Sequence, residues 1–233
     1  KPINKELRAL SKVLYIHANT ADGTWQEVCR ERAPDVVIHC AWQIRELYGR
    51  PALQRRWNIH GSQNIISFAQ SVDSVKKFIF LSTVAVYGAY PDNNLHDRFT
   101  EESPLREEEY RYGREKIEIE EYARQIFLSG VDMSKQLIIL RPTSITGPEL
   151  VRRKRGVSLQ TWLRSSFPLF PIGNAQWCRQ FLHEYDLCSS ISALLELYPE
   201  KRYIVLNVTP SDYLSAVRLS LFLGKRLIFL SAY

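Results

Sequence analysis

The chain has 233 residues, of which 45% are hydrophobic and 24% are charged. This length and composition suit one globular domain, or a large domain with a small lobe, and exclude a disordered or fibrous chain. The net charge is +6, but the basic residues are scattered along the chain, which argues against nucleic acid as a partner.

The cysteines and the hydropathy pattern indicate the cellular compartment of the protein. Apolar runs stay well short of the roughly 18 residues that a membrane span requires, and no signal peptide is visible, so we expect neither membrane insertion nor secretion. The four cysteines have no CxxC or other metal-binding spacing: Cys29, Cys40, Cys178 and Cys188. We therefore expect reduced core thiols, no metal site and a cytoplasmic protein.

The first third of the chain predicts two strands. Residues 13–16 (VLYI) form one apolar run, and residues 36–41 (VVIHCA) form another after a turn at Pro34. His39 lies inside the second run, where a satisfied core histidine is expected rather than a catalytic one. Asp22, between the two runs, is placed to cap a helix that begins near Thr24.

An amphipathic helix is predicted over residues 57–70 (WNIHGSQNIISFAQ). Its inner face carries Asn58, Gly61, Ile65, Phe68 and Val72. Gly61 would let the helix approach a sheet closely. Asn58 is a polar residue on this apolar face, either an ordinary buried asparagine bonded to backbone or, as we favour, a support for a functional site.

The next strand and helix contain the strongest chemical signal. Residues 78–81 (FIFL) predict a strand buried on both faces, ending at Ser82 and Thr83. After a polar loop, a helix is predicted up to Gly130 from the apolar positions Ile119, Tyr122, Ala123, Ile126 and Phe127.

Tyr112 and Lys116 lie four residues apart at the start of this helix, on the face that continues into its apolar stripe. Lysine is rarely buried without a role, because desolvating its ammonium is unfavourable. A lysine about 5 Å away at an effective dielectric constant near 20 would favour the phenolate by roughly 3 kcal/mol, or about two pKa units. The pattern therefore predicts general acid–base catalysis by Tyr112, with Thr83 or Ser82 holding the substrate oxygen.

The rest of the chain predicts another buried strand and a smaller lobe. Residues 137–142 (LIILRP) form the strand, and the loop after it lies where open α/β sheets bind ligands. The basic run at residues 152–155 is either a solvated loop or a cover for a diphosphate. Aromatic residues and prolines over residues 156–185 suggest an irregular substrate lobe. A helix from Leu187, a strand at Tyr203–Val208 and a core helix and strand in the last twenty residues complete the prediction.

Three motifs, STVAVYG (82–88), TEESPL (100–105) and Tyr112-x-x-x-Lys116, resemble the extended short-chain dehydrogenase/reductase family, and more narrowly its NAD(P)-dependent nucleotide-sugar epimerase/dehydratase branch. The resemblance runs from about residue 22 to residue 207. It implies an α/β fold with a doubly wound parallel sheet of the Rossmann type. Residues 1–148 would form the dinucleotide-binding domain and residues 149–233 mainly a substrate lobe, with Tyr203–Val208 returning to the sheet.

The resemblance also implies roles for individual residues. Tyr112 would take the proton of a sugar hydroxyl, Lys116 would lower its pKa and bind the nicotinamide ribose, and Thr83 would bind the reacting oxygen. Asp22 would bond the adenine, a role that is compatible with capping the helix. The implied cofactor contacts are Asp22, Cys40, Ala41, Asn58, Ser82, Tyr112, Lys116, Pro142 and Ile145, and the implied substrate contacts are Thr83, Val84 and Arg179.

Two departures from the family pattern qualify these implications. No glycine-rich turn precedes Asp22, and we expect the first strand and that turn to lie upstream of Lys1. Residues of the complete protein would be absent in the same way from any gap inside this sequence. Val84 and Ala85 stand where dehydratases carry an acidic pair, which favours an epimerase or a ketone reductase acting on a nucleotide-sugar-like substrate. NAD and NADP both remain open, the fold allows a homodimer, and the alternative is a non-catalytic dinucleotide sensor or scaffold.

Overall fold

A computed structural model of the chain describes residues 12–130, 132, 134–149, 165–172, 177–198 and 200–229. The strands in chain order are β1 (Val36–His39), β2 (Lys77–Leu81), β3 (Gln136–Pro142), β4 (Ser144–Thr146), β5 (Leu169–Ile172), β6 (Cys178–Arg179), β7 (Phe181–His183), β8 (Tyr203–Val208), β9 (Leu214–Ser215) and β10 (Arg226–Phe229). Four of them form the main sheet, in the order β1-β2-β3-β8, and all neighbours run parallel.

The α-helices are α1 (Gln26–Arg30), α2 (Pro51–Arg55), α3 (Gly61–Ser71), α4 (Arg111–Ser129), α5 (Glu184–Glu196) and α6 (Ala216–Leu223). A π-helical turn at Arg56–His60 joins α2 to α3, so the predicted helix over residues 57–70 begins earlier, at Pro51. Short 3₁₀ turns lie at Thr20–Asp22 and Val84–Tyr87.

Helices cover both faces of the main sheet. Phe78 and Phe80 point to one face, where they pack with residues of α3 and α4 such as Phe68 and Phe127. Ile79, between them on β2, points to the other face and packs in the same cluster as Leu194 of α5. This alternation follows from the two-residue period of a strand, and burial on both faces explains the continuous apolar runs. The α/β fold class predicted from the sequence is confirmed.

Two expectations from the sequence are wrong. Residues 13–16 form no strand, and their side chains are 39–56% exposed. Residues 13–16 belong to none of the ladders among the described residues, and an apolar run forms a strand only where a partner strand supplies its backbone hydrogen bonds. The cysteines are free but are not core residues: Cys29 and Cys178 are half-buried, whereas Cys40 and Cys188 are exposed, Cys40 because it follows the last residue of β1, the outermost strand described on its side of the sheet.

The remaining strands form small ladders outside the main sheet, in the part of the chain where a smaller lobe is predicted. Three two-stranded ladders join β10 to β5, β4 to β7, and β6 to β9. A small core cluster here contains Phe170, Ile172, Ala216 and Leu219, with Trp177 packed against them. The basic run at residues 152–155 lies outside the described residues. Over the ranges given above, no helix combines the length and the apolar character needed to cross a bilayer.

Lys77 ties the main sheet to the end of α5. Its side chain is fully buried at the start of β2, and its Nζ donates hydrogen bonds to the carbonyl oxygens of Leu195 (3.2 Å), Leu197 (2.6 Å) and Leu194. It also lies 4.1 Å from the centre of the Tyr198 ring. The last carbonyls of a helix lack partners within the helix and carry partial negative charge, so the ammonium stabilises this end of α5.

We expect Lys77→Met to lower the free energy of unfolding by about 1–3 kcal/mol, since it leaves several buried carbonyls without a donor. Urea denaturation measures the change. Lys76→Met is the matched control, because Lys76 also donates to a carbonyl oxygen, that of Asp73, but is exposed; its effect should stay within about 0.5 kcal/mol. Equal effects of the two substitutions would contradict this account of α5.

Candidate active site

The predicted catalytic residues meet at the carboxyl ends of β1 and β2. Thr83 follows β2, and its hydroxyl accepts a hydrogen bond from the Ala85 amide at 3.2 Å, which caps the turn at Val84–Tyr87. The Tyr112 phenol, at the start of α4, lies near the same hydroxyl, since the Thr83 side chain contributes to the pKa of that phenol. Gly113 makes this approach possible: a Cβ there would lie 2.9 Å from the Ala85 carbonyl oxygen.

Tyr112 does not have the lowered pKa that the sequence predicts. Burial raises the pKa of Tyr112 to about 12, the hydrogen bond from Thr83 lowers it in part, and nearby Tyr110 raises it further. The Nζ of Lys116 lies 5.9 Å from the centre of the Tyr112 ring, but it donates its hydrogen bond to the Leu81 carbonyl oxygen. Because burial is the largest influence on its pKa, the phenol is protonated at neutral pH in this arrangement.

Lys116 is buried, with 3% of its surface exposed. Its Nζ donates a hydrogen bond to the Leu81 carbonyl oxygen at 2.6 Å, and lies 3.8 Å from the Trp42 ring centre and 4.5 Å from that of Phe80. Burial lowers the pKa of Lys116 to about 7, although the charges of Cys40 and Glu120 act in the opposite direction. The ammonium is thus surrounded by aromatic rings and bonded to the end of β2.

A buried ion pair between Glu120 and Arg141 is hydrogen-bonded to the end of β2. Glu120 on α4 accepts hydrogen bonds from Ser82 Oγ and, at 2.6 Å, from Arg141 Nη2 on β3. Arg141 also donates to the Tyr87 hydroxyl at 2.7 Å, and that hydroxyl donates to Asn207 of β8. The predicted cofactor contact Ser82 therefore has its hydroxyl committed to Glu120. Glu120 was not identified from the sequence. Its position four residues after Lys116 could have indicated it, because that spacing puts a second charged residue on the same apolar face of the helix.

Asn58 connects the loop after β1 to α4. Its side chain is buried, accepts a hydrogen bond from the Gln43 amide at 2.8 Å, and donates to the Gln43 carbonyl oxygen at 3.1 Å and to Glu115 Oε2 at 2.8 Å. Glu115 is also bonded to Arg111 at 2.8 Å. In this structure Asn58 bonds both to backbone and to a residue adjacent to Lys116, so it has the features of both interpretations.

Asp22 lies in the Thr20–Asp22 turn, where its carboxylate pairs with Arg56 at 2.6 Å. It does not cap α1, which has no side-chain cap at its start, so the capping prediction is wrong. Arg56 also lines a cavity of about 400 Å³ together with Ala21, Ala52, Arg55, His60 and Asn64. This cavity is formed by the same elements that hold Asp22.

The other predicted contacts lie around the same edge of the sheet. Cys40 and Ala41 are exposed just beyond β1, and Pro142 is buried at the end of β3. Ile145 is half-buried in β4, opposite Leu182 of β7. Val84 is half-buried in the turn after Thr83.

Arg179 on β6 brings the predicted smaller lobe towards Tyr112. Burial raises the pKa of Tyr110, while the Arg179 guanidinium lowers it, so the two side chains are within electrostatic range. The Tyr110 ring lies 5.7 Å from that of Tyr112. Arg179 is thus on the same side of the molecule as the predicted catalytic tyrosine.

His39 is a core residue, as predicted, but it is not fully satisfied, because its Nδ1 has no hydrogen-bond partner among the described residues. It is 2% exposed, its Nε2 is hydrogen-bonded to Ser62 Oγ at 2.7 Å, and its ring stacks on Phe80. Burial, with a smaller contribution from the Lys116 charge, lowers the pKa of His39 to about 3. Among the described residues, no cluster of His, Cys, Asp and Glu could hold a metal ion.

Comparison with known proteins agrees with this geometry. The pattern that defines the NAD dependent epimerase/dehydratase family matches residues 4–208, which is most of the chain. The chain belongs to this family. Of the two dinucleotides that the sequence left open, NAD is the one that the family description names.

Two curated relatives and one solved structure show how similar this epimerase/dehydratase family member is to known proteins. An uncharacterised Mycobacterium tuberculosis protein is 25% identical over 82% of this chain and 48% of its own length. The N-acetyl-alpha-D-glucosaminyl-diphospho-ditrans,octacis-undecaprenol 4-epimerase of Escherichia coli O157:H7 is 32% identical over 52% of this chain and 33% of its own. The structure of Thermus thermophilus UDP-glucose 4-epimerase in complex with NAD superposes with a TM-score of 0.73 at 19% identity, covering 97% of this chain and 74% of that one.

These likenesses bear on the fold and on the extent of the chain. The structural similarity confirms the Rossmann-type fold class. The chain spans about half the length of the first curated relatives that it matches. The homodimer, the cytoplasmic location and the exclusion of nucleic acid remain predictions.

Proposed function

We propose that this chain carries the catalytic part of an NAD-dependent epimerase that acts on a nucleotide sugar. The observation that carries the proposal is the meeting of three side chains at the carboxyl end of β2: the Tyr112 phenol lies near Thr83, and buried Lys116 follows one helical turn later on α4. This end of a parallel sheet is where ligands bind in open α/β folds.

The described residues suit a dinucleotide, because the hydroxyl and carbonyl oxygens of such a ligand can accept hydrogen bonds from Lys116. Lys116 has three N–H groups, and the Leu81 carbonyl oxygen is the acceptor that the described residues provide. A ribose hydroxyl would supply a further acceptor for Lys116, and Ala41 and Pro142 frame the same edge. When bound, NAD supplies the hydride acceptor.

The side chains have distinct proposed roles at the reacting carbon. Thr83 orients the sugar hydroxyl next to Tyr112, and Tyr112 accepts its proton. With a pKa of about 12, Tyr112 requires additional positive charge nearby to act as a base at neutral pH. Lys116 is the buried cation one helical turn away that provides it once its ammonium faces the phenol. Arg179 binds a substrate phosphate.

The comparisons favour epimerisation over simple reduction. The relatives from Escherichia coli and Vibrio cholerae are both 4-epimerases by name, the second a UDP-glucose 4-epimerase that is 31% identical over 60% of this chain. Val84 and Ala85, which follow Thr83, have no proton-transferring side chain, which argues against a dehydratase. UDP-glucose is therefore the first substrate to test, and UDP-N-acetylglucosamine is the second, because its sugar is the one that the Escherichia coli relative's name gives on a diphosphate.

The experiment is incubation of the full chain with NAD and each UDP-sugar, followed by NMR detection of the C4 epimer. An epimerase forms the epimer at a catalytic dose of NAD, because the hydride returns to the same carbon. A reductase instead consumes reduced cofactor in proportion to product. Dinucleotide binding without any sugar conversion would refute the proposal and favour the sensor or scaffold alternative.

A further inference from the structure

Trp42 occupies an unexpected place next to Lys116. Its indole lies against the ammonium, with 3.8 Å between Lys116 Nζ and the ring centre, and its edge meets the Tyr112 ring at a centroid distance of 6.3 Å. Trp42 lies three residues after β1 ends at His39, beyond Cys40 and Ala41. A large aromatic side chain thus covers the proposed cofactor-binding lysine.

The covered arrangement leaves hydrogen-bonding groups unsatisfied. Trp42 Nε1 is buried, and none of the described residues accepts a hydrogen bond from it. The rings of Trp42 and Phe80 lie against Lys116, where hydrogen-bond acceptors would otherwise serve its remaining N–H groups. A buried donor without an acceptor is unfavourable, whereas the contact between ammonium and indole is favourable. The favourable ammonium–indole contact and the unfavourable unpaired N–H therefore oppose each other in the covered state. A ligand that offers oxygen acceptors to Lys116 can shift the equilibrium towards the uncovered state.

Trp42 is the ring that can move. Phe80 is fully buried within β2, and Tyr112 lies on α4 near Thr83, but Trp42 is half-buried and lies in the loop after β1. The loop backbone is fixed at its next residue, because both the N–H and the C=O of Gln43 are bonded to Asn58. Opening therefore requires rotation of the indole side chain and no movement of the loop.

We propose that Trp42 is a movable cover of Lys116, which lies on the ammonium in this arrangement and rotates away when a dinucleotide ribose hydroxyl takes Lys116 as its hydrogen-bond donor. This inference rests on the proposed function. A hydroxyl oxygen has to approach Nζ to within roughly 3 Å, and the indole takes up part of that space. The cover and the cofactor consequently compete for one lysine, and the apparent affinity for NAD is reduced by the fraction of covered molecules.

The test is titration of the full chain with NAD, by calorimetry and by intrinsic tryptophan fluorescence. Trp42→Ala should bind NAD about 2- to 30-fold more tightly than the wild type, the range that corresponds to the usual strength of a cation–π contact. Trp42→Leu, which keeps apolar bulk if the alanine variant fails to fold, should change the affinity in the same direction. In the wild type, NAD should shift tryptophan emission towards that of a more solvated indole, and this shift should be lost in both variants.

Trp177→Phe is the matched control. Trp177 packs edge-on against Phe170 in the predicted smaller lobe, and its replacement should preserve both the NAD affinity and the emission shift. If the wild type binds NAD but the Trp42 variants bind equally well or more weakly, the cover is refuted and the proposed function stands. If the wild type does not bind NAD at all, both proposals fail.

Discussion

Tyr112→Phe is expected to reduce turnover of a UDP-sugar by about 10²- to 10⁴-fold, the usual contribution of a positioned general acid or base. The substitution removes the phenol oxygen that lies near Thr83 and keeps the ring that packs against Trp42 and Tyr110. NAD affinity and the midpoint of urea unfolding should therefore change little. Steady-state kinetics together with NAD titration separate the two effects.

Tyr122→Phe is the control for this prediction. Tyr122 lies on the same helix, and its hydroxyl is 3.4 Å from Ser67 Oγ, on the side of α4 that faces α3. The same chemical change there should leave turnover within about twofold of the wild type, since surface substitutions are usually mild. Comparable losses in the two variants, or full activity in Tyr112→Phe, would remove Tyr112 from the mechanism.

Glu120→Gln is expected to destabilise the fold by about 3–5 kcal/mol, because removing one partner of a buried ion pair leaves the other charge uncompensated. The two side chains of this pair, Glu120 and Arg141, are 2% and 3% exposed and lie 2.6 Å apart. The glutamine would also weaken the hydrogen bond from Ser82 at the end of β2. Urea denaturation measures the loss.

Glu118→Gln supplies a control on the same helix. Glu118 pairs with Arg55 through two hydrogen bonds, at 2.7 and 2.9 Å, but the two side chains are 39% and 51% exposed. Water screens this pair, and its loss should change the stability by about 0–1 kcal/mol. A loss for Glu120→Gln no larger than for Glu118→Gln would show that burial does not set the strength of the Arg141 pair.

Local patterns predicted the elements of the main sheet well. The helix that ends at Ser129, the strand β3 and the inward position of Lys116 follow from apolar periodicity, which depends on sequence neighbours. The strand expected over residues 13–16 failed for the opposite reason: a strand exists only beside a partner, and no short stretch of sequence specifies that partner. Cys40 likewise looked like a core thiol because its exposure depends on which strand lies outermost.

The sequence by itself determined which residues could do chemistry: Tyr112 and Lys116 share one face of a helix through spacing alone, and Thr83 ends a buried strand. Only the tertiary structure decided what those groups experience. Burial raises the pKa of Tyr112 and lowers that of Lys116, and the groups around the lysine, the Trp42 indole and the Leu81 carbonyl, come from separate parts of the chain. Electrostatics and solvation depend on distances through space, so the four-residue spacing predicts the pair but not its protonation.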